Sequence, residues 1–142
     1  LKVDYHIVET EYICDFIKKS NNNILNKIHF HNEIPNIKFD LLYIRTSLQY
    51  SLSWKYNLKK LLKNKPEKAI LAQTSAGKNL TFLSTQQWQG KKIPYWFINL
   101  EELKSFFSDY NLILETTGES LDTNFNDEYE IKNSVNLIYE RQ

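Results

Sequence analysis

Short apolar runs that stop abruptly in polar side chains recur along this chain, and that grammar restricts its possible folds more than any average property. Leu41-Leu-Tyr-Ile44 breaks into Arg45-Thr-Ser47, Lys68-Ala-Ile-Leu-Ala72 breaks into Gln73 and Thr74, and Tyr5-His-Ile-Val8 ends in Glu9 and Thr10. Runs of this length are strand-sized, and the segments between them carry a helical period instead. Ile13, Phe16 and Ile17 predict a helix within Tyr12 to Lys19. Ser53 is placed to cap a second helix, in which Trp54, Leu58, Leu61 and Leu62 share a face, Lys59, Lys60 and Lys63 point outward, and Pro66 closes the segment. Asn99 with Glu101 and Glu102 predicts a third helix start, with Leu100, Leu103, Phe106 and Phe107 on one face.

Lys27 to His31 supplies a further strand, closed by Pro35. Ser75 to Asn79 reads as a loop and Leu80 to Leu83 as a short irregular strand. Gln86, Gln87, Trp88 and Gln89 then lie in a polar stretch that runs to Pro94. Leu112 to Thr116 and Val135 to Tyr139 read as a terminal hairpin joined by a polar, acidic loop. Strands alternating with helices predict an α/β domain whose sheet is mostly parallel and covered on both faces. At 142 residues one domain is expected.

The charge balance, 18 lysines and arginines against 17 acids, gives a net +1 and points to neither a nucleic-acid nor a membrane partner. A lone cysteine, Cys14, excludes an internal disulfide and fits a reducing, cytoplasmic setting. Three glycines, Gly77, Gly90 and Gly118, form no G-x-G, so these residues contain no glycine-rich phosphate loop. Serine-elbow, P-loop and zinc patterns are likewise missing, which leaves hydrolase and phosphotransferase readings without support.

In open α/β sheets, ligands bind beyond the carboxyl ends of the parallel strands. Arg45, Thr46, Ser47, Gln49 and Tyr50 are therefore the first candidates, with an ordinary strand-to-helix turn as the competing reading. Glu9 ends its own strand, where a carboxylate can accept both hydroxyls of a ribose; an acid at a helix start is also at home beside the dipole. His31 and Asn32, at the next strand end, can face an adenine ring or belong to a plain loop. His6, His29 and His31 raise a metal reading, outweighed by the expectation that strand faces are simply covered by helices, so no metal is expected. Cys14 reads as a small buried residue rather than a nucleophile. Tyr95-Trp96-Phe97 can wall a pocket, but core is the commoner role of such a cluster.

Taken in order, Ile7-Val-Glu9, Phe39-Asp-Leu-Leu running into Ser47-Leu-Gln-Tyr50, Gln86-Gln87 and Pro94-Tyr-Trp-Phe97 resemble a bacterial methyltransferase family related to the class I S-adenosylmethionine-dependent enzymes. The resemblance runs from Ile7 to about Glu115, and members often accompany surface-polysaccharide genes. It implies a Rossmann-like sheet with S-adenosylmethionine bound by Glu9, His31, Asn32, Arg45, Thr46 and Ser47. A small-molecule or saccharide acceptor would then face Gln49, Tyr50, Gln87, Tyr95 and Trp96, with His31 or Tyr50 as candidate general base. Homo-oligomerisation is left open.

This chain departs from the family in lacking the first strand and its glycine-rich loop, which would lie between the Glu9 strand and the Leu41 strand. Another segment or subunit can supply the strand, or the sheet can close over the gap, but with Leu1 at its start and no methionine the chain is expected first to be the C-terminal part of a longer protein and inactive by itself. The alternative is a non-catalytic Rossmann-like module that binds a nucleotide or a protein.

Overall fold

A computed structural model describes residues 3–20, 28–119 and 133–142. The chain divides into two compact units, Leu1–Ile37 and Lys38–Gln142.

The first unit is one strand-helix-strand step. β1 (Tyr5–Val8) pairs in parallel with β2 (Ile28–His31), with His6 opposite His29 and Val8 opposite His31. Between them α1 (Glu11–Lys19) starts at Thr10, whose hydroxyl accepts the Ile13 N–H at 3.5 Å. Glu11 in the first turn and Lys18 and Lys19 in the last complement the helix dipole. The helix stops at Ser20, whose N–H and hydroxyl both donate to the carbonyls of Phe16 and Ile17. Among the described residues of this unit only Cys14 is a buried apolar side chain, while Tyr12 is 77% and Phe16 63% exposed.

The second unit holds a four-stranded sheet in the order β3 (Leu41–Arg45), β4 (Lys68–Thr74), β9 (Asn133–Arg141), β8 (Tyr110–Glu119). β3 and β4 run parallel, but β9 pairs antiparallel with both β4 and β8. The expected terminal hairpin is present, its connecting loop lying outside the described residues. A mostly parallel sheet is not: β5 (Ala76–Gly77), β7 (Lys91–Asn99) and β6 (Phe82–Trp88) form a second sheet in which β5–β7 is parallel and β6–β7 antiparallel. Parallel and antiparallel pairings are thus mixed, because strands joined by tight turns reverse direction where strands joined by a crossover helix need not.

β5 falls where a loop was expected, and β6–β7 replaces a short strand and a polar stretch. The polar composition of Ser84 to Gln87 hides a period-two pattern whose closure lies in the turn. Gln89 and Gly90 have φ of 47° and 76°, the two left-handed positions of a type I′ turn, which matches the twist of a hairpin. Pro94 is accommodated because β7 has only β6 beside it there, so that part is an edge.

Rows across the four-stranded sheet explain the core. Leu42–Ala69–Tyr139 and Ile44–Leu71–Leu137 line one face, under Trp54 and Leu58 of α2 (Trp54–Leu62) and Leu103 of α3 (Leu100–Ser105). Leu58, Ala69, Leu71, Leu103 and Leu137 retain no exposed surface. Burying each leucine contributes about 1.5–3 kcal/mol. The opposite face differs from expectation: Leu41 is 51% and Tyr43 56% exposed, and Ile70 and Ile138 in the same row as Tyr43 are half-buried, so among the described residues this face is packed less densely.

Ser53 precedes α2 as expected, yet its side chain makes no capping bond. The helix ends at Leu62, three residues before Lys65 turns left-handed (φ 50°) ahead of Pro66. Asn99 does cap α3, its Oδ1 accepting the Glu102 N–H at 2.8 Å. The Glu102 carboxylate accepts from Thr81 and Lys55, and Thr81 Oγ1 in turn accepts the Asn99 N–H at 2.9 Å. The hydrogen bonds from Lys55 and then Thr81 hold Glu102 below its ordinary pKa. Among the described residues no helix is long and apolar enough to cross a membrane.

Candidate functional site

The carboxyl ends of β3 and β4 come together around a residue outside the expected site, Gln73. A register shift in the β4–β9 pairing between Leu71 and Thr74 leaves Gln73 with φ 50°, and Thr46, just past β3, has φ 48°. Left-handed backbone at such residues costs roughly 1–3 kcal/mol each, and its persistence requires surrounding bonds that hold it. Those bonds are present. Arg45 Nε donates to Gln73 Oε1 at 3.0 Å, the Thr46 hydroxyl donates to the same oxygen at 3.3 Å, and Gln49 Nε2 donates to the Gln73 carbonyl at 3.3 Å. From the other side the Gln73 N–H donates to Asn136 Oδ1 at 2.9 Å, and Asn136 Nδ2 donates to Thr116 Oγ1 at 3.1 Å.

Arg45, Thr46 and Gln49 are therefore gathered by one glutamine. Ser47 stands beside them, its carbonyl accepting the Tyr50 N–H at 3.1 Å. Gln49 does not present its side chain to solvent as an acceptor-facing residue would, being only 1% exposed. Its Oε1, like the Thr74 hydroxyl, is buried without a hydrogen-bond partner among the described residues. Leaving such a group unsatisfied costs about 1–3 kcal/mol, so these two atoms mark polar capacity at the strand ends that the fold itself does not use.

A second cluster forms where the 3-10 turn Leu48–Tyr50 meets the β6–β7 hairpin. The Tyr50 hydroxyl donates to Gln86 Oε1 at 2.8 Å, and its ring meets Tyr95 edge-on at 5.1 Å. Desolvation first, then Tyr95, raises the Tyr50 pKa. A phenol held protonated orients a ligand as a hydrogen-bond partner and is a poor general base. Tyr95 is buried at 7% exposure and packs 5.2 Å from Phe97, so this aromatic run joins core to site.

Hairpin register separates the remaining candidates. Gln86 and Tyr95 share the face that meets Tyr50, whereas Gln87, opposite Lys92, and Trp96, opposite Leu83, project from the other. Gln87 is exposed, and Trp96 packs against the core with its indole N–H buried and unpartnered among the described residues.

In the first unit Glu9 follows β1 directly, its N–H donating to the His31 carbonyl at 2.9 Å. Its carboxylate is exposed and, among the described residues, accepts only the adjacent Thr10 N–H, at 3.3 Å, which leaves lone pairs open to hydroxyl donors. Asn32 is exposed at the end of β2. His31 is less free: its Nε2 lies 3.0 Å from His6 Nδ1, and the His6 ring stacks on His29 at 4.7 Å and on His31 at 5.3 Å. Desolvation, then His6 and His29, lowers the His31 pKa. The in-plane lone pairs of stacked rings run side by side, and among the described residues no group of three ligands converges on a point where a metal could sit. Cys14 is buried, with its thiol 3.9 Å from the Glu9 carbonyl.

Residues missed by sequence reasoning are Gln73, Gln86 and Asn136. Gln73 carries the same signal as Arg45, a polar residue at the end of an apolar run. Asn136 carries none, since only the β4–β9 pairing brings it there.

No family model matches the chain, and no curated protein matches it. A solved structure does, described as a "putative S-adenosylmethionine dependent methyltransferase from Listeria monocytogenes". The two superpose with a TM-score of 0.67 over 98% of this chain and 80% of the other, at 10% sequence identity. The mixed α/β arrangement that carries the Gln73 and Tyr50 clusters is thus a fold this chain shares with that protein.

Proposed function

We propose that this chain carries residues of an S-adenosylmethionine-dependent methyl transfer site acting on a small-molecule or saccharide acceptor. The observation that carries the reading is the Gln73 clamp, a set of polar side chains and two left-handed residues held at the carboxyl ends of parallel strands in a fold of this kind. The exposed carboxylate of Glu9 suits the two hydroxyls of a ribose. His31 and Asn32 in the first unit, and Arg45, Thr46 and Ser47 in the second, are the other cofactor candidates of this reading, each taken within its own unit.

When bound, the cofactor supplies an activated methyl group, displaced in line from its sulfonium. The protein's part is orientation and exclusion of water. Arg45 and Thr46, fixed by Gln73, hold the ligand; Tyr50 and Tyr95 orient the acceptor. Of the two base candidates, Tyr50 is disfavoured because its raised pKa makes it hold its proton, and His31, in the first unit, has a lowered pKa.

A second reading, a Rossmann-like module that binds without chemistry, draws on the same two residues: Tyr50 is engaged by Gln86 and His31 by His6. Calorimetry on the natural protein separates cofactor binding from its absence. S-adenosylmethionine is expected to bind, and Glu9→Ala to weaken it at least tenfold. No binding, or binding indifferent to Glu9, would remove the cofactor assignment.

A further inference from the structure

From Lys68 to Leu100 the chain has no acidic residue and four lysines, in a sequence otherwise balanced in charge. The β6–β7 hairpin lies wholly inside this stretch. Its register sorts the side chains: Trp88 opposite Lys91, Gln86 opposite Ile93 and Ser84 opposite Tyr95 share one face. That is the face on which Gln86 and Tyr95 meet Tyr50. Exposure rises from Tyr95 at 7% to Trp88 at 60%, and Lys91 is exposed with no acid paired to it among the described residues. An aromatic ring, an amide and a free cation thus follow one another outward from the Tyr50 cluster. At about 3.4 Å per residue, Gln86 and Trp88 lie roughly 7 Å apart along the strand.

We infer that this face of the hairpin is an acceptor-binding strip for an extended acidic oligosaccharide, with Trp88 and Lys91 setting its specificity; the inference rests on the reading that Tyr50 and Tyr95 meet the acceptor. The chemistry matches side chain by side chain. An exposed indole presents a flat apolar face to the C–H side of a sugar ring, the Gln86 amide both donates to and accepts from hydroxyls, and Lys91 pairs with a carboxylate or phosphate. A nucleic acid fits less well, since its binding is dominated by many phosphate contacts and this face offers a single lysine in a protein of net charge +1. The Gln89–Gly90 turn holds Trp88 and Lys91 opposite each other, so the strip is built before a ligand arrives.

Tryptophan fluorescence and calorimetry at low salt, without S-adenosylmethionine, test this with three probes: tetragalacturonate, cellotetraose and a single-stranded DNA oligonucleotide. Tetragalacturonate is expected to bind at least tenfold more tightly than cellotetraose. Trp88→Ala is expected to weaken both sugars about tenfold. Lys91→Gln is expected to abolish the preference for the acidic sugar, and Lys91→Arg to restore it. Circular dichroism confirms that each variant is folded, which an exposed hairpin tip favours. Equal binding of the two sugars, no binding of either, indifference to both substitutions, or tighter binding of DNA each overturns the inference. Sugar binding that survives while S-adenosylmethionine fails to bind overturns only the methyl-transfer reading. Cofactor binding without sugar binding overturns only this one.

Discussion

The two units use the same strand-helix-strand grammar and reach very different packing. Leu1–Ile37 builds a parallel strand pair and a capped helix yet buries one apolar side chain among its described residues; Lys38–Gln142 buries a contiguous cluster with several leucines at 0% exposure. A helix shorter than about 12–15 residues is marginal in water, and two paired strands are no better. What stabilises such elements is the apolar face they cover, so equal local signals need not give equal stability.

The strongest way to break this contrast is truncation. Leu103→Ala or Leu71→Ala in the second unit is expected to cost about 2–5 kcal/mol in urea unfolding, whereas Phe16→Ala, at a 63% exposed position, is expected to cost under about 1 kcal/mol. Comparable losses would mean that the first unit is packed far better than its exposure indicates. Caps give a smaller version of the test. Asn99→Ala removes a 2.8 Å bond to Glu102 and a 3.0 Å bond from its Nδ2 to the Asn79 carbonyl, and is expected to cost about 1–2 kcal/mol. Thr10→Ala removes a 3.5 Å bond and is expected to cost less than half as much.

Acid should sharpen the comparison by separating the units along the pH axis. His31 has a folded pKa below its ordinary 6.5, so its unfolded form binds protons first; the stability it contributes is present above pH 6.5 and is lost as pH falls through the lower folded value. Glu102 is likewise lowered, from 4.5, and its contribution is lost only below that pH. Amide exchange in β1 and β2 is therefore expected to accelerate on going from pH 7.5 to 5.5, after correction for intrinsic rates, while β4 and β9 stay protected until below pH 4.5. His6→Asn should shrink the first effect, since His6 is one of its causes. The smallest change is expected at Tyr139. Burial raises its pKa to about 12, and its hydroxyl is buried without a partner among the described residues, so Tyr139→Phe should leave stability within about 1 kcal/mol of the parent or raise it. A large loss would reveal a bonded hydroxyl.

Legibility followed the range of the interaction that decides each element. Thr10, Asn99 and the apolar periods of α1, α2 and α3 act within a few residues, and those helices lie where the sequence puts them. The expected strand at Leu80 to Leu83 catches only the start of β6, because Ser84, Thr85, Gln86 and Gln87 supply no apolar alternation; their strand state comes from partners Lys92, Ile93, Pro94 and Tyr95 across the turn. Arg45, Thr46 and Tyr50 were visible as polar residues after an apolar run, but their pairing with Gln73 and Gln86 was not, because those partners lie 28, 27 and 36 positions away.

By itself, then, the sequence determined the order of most strands and helices and the stops at which polar groups collect, since propensity, capping and turn chemistry are local. Tertiary structure decided the rest. Inserting β9 antiparallel between β4 and β8 made the sheet mixed and shifted the register at Gln73, and pairing β6 with β7 put Gln86, Tyr95, Trp88 and Lys91 on one face. Both outcomes depend on contacts between residues far apart in the chain, whose closure no local pattern encodes.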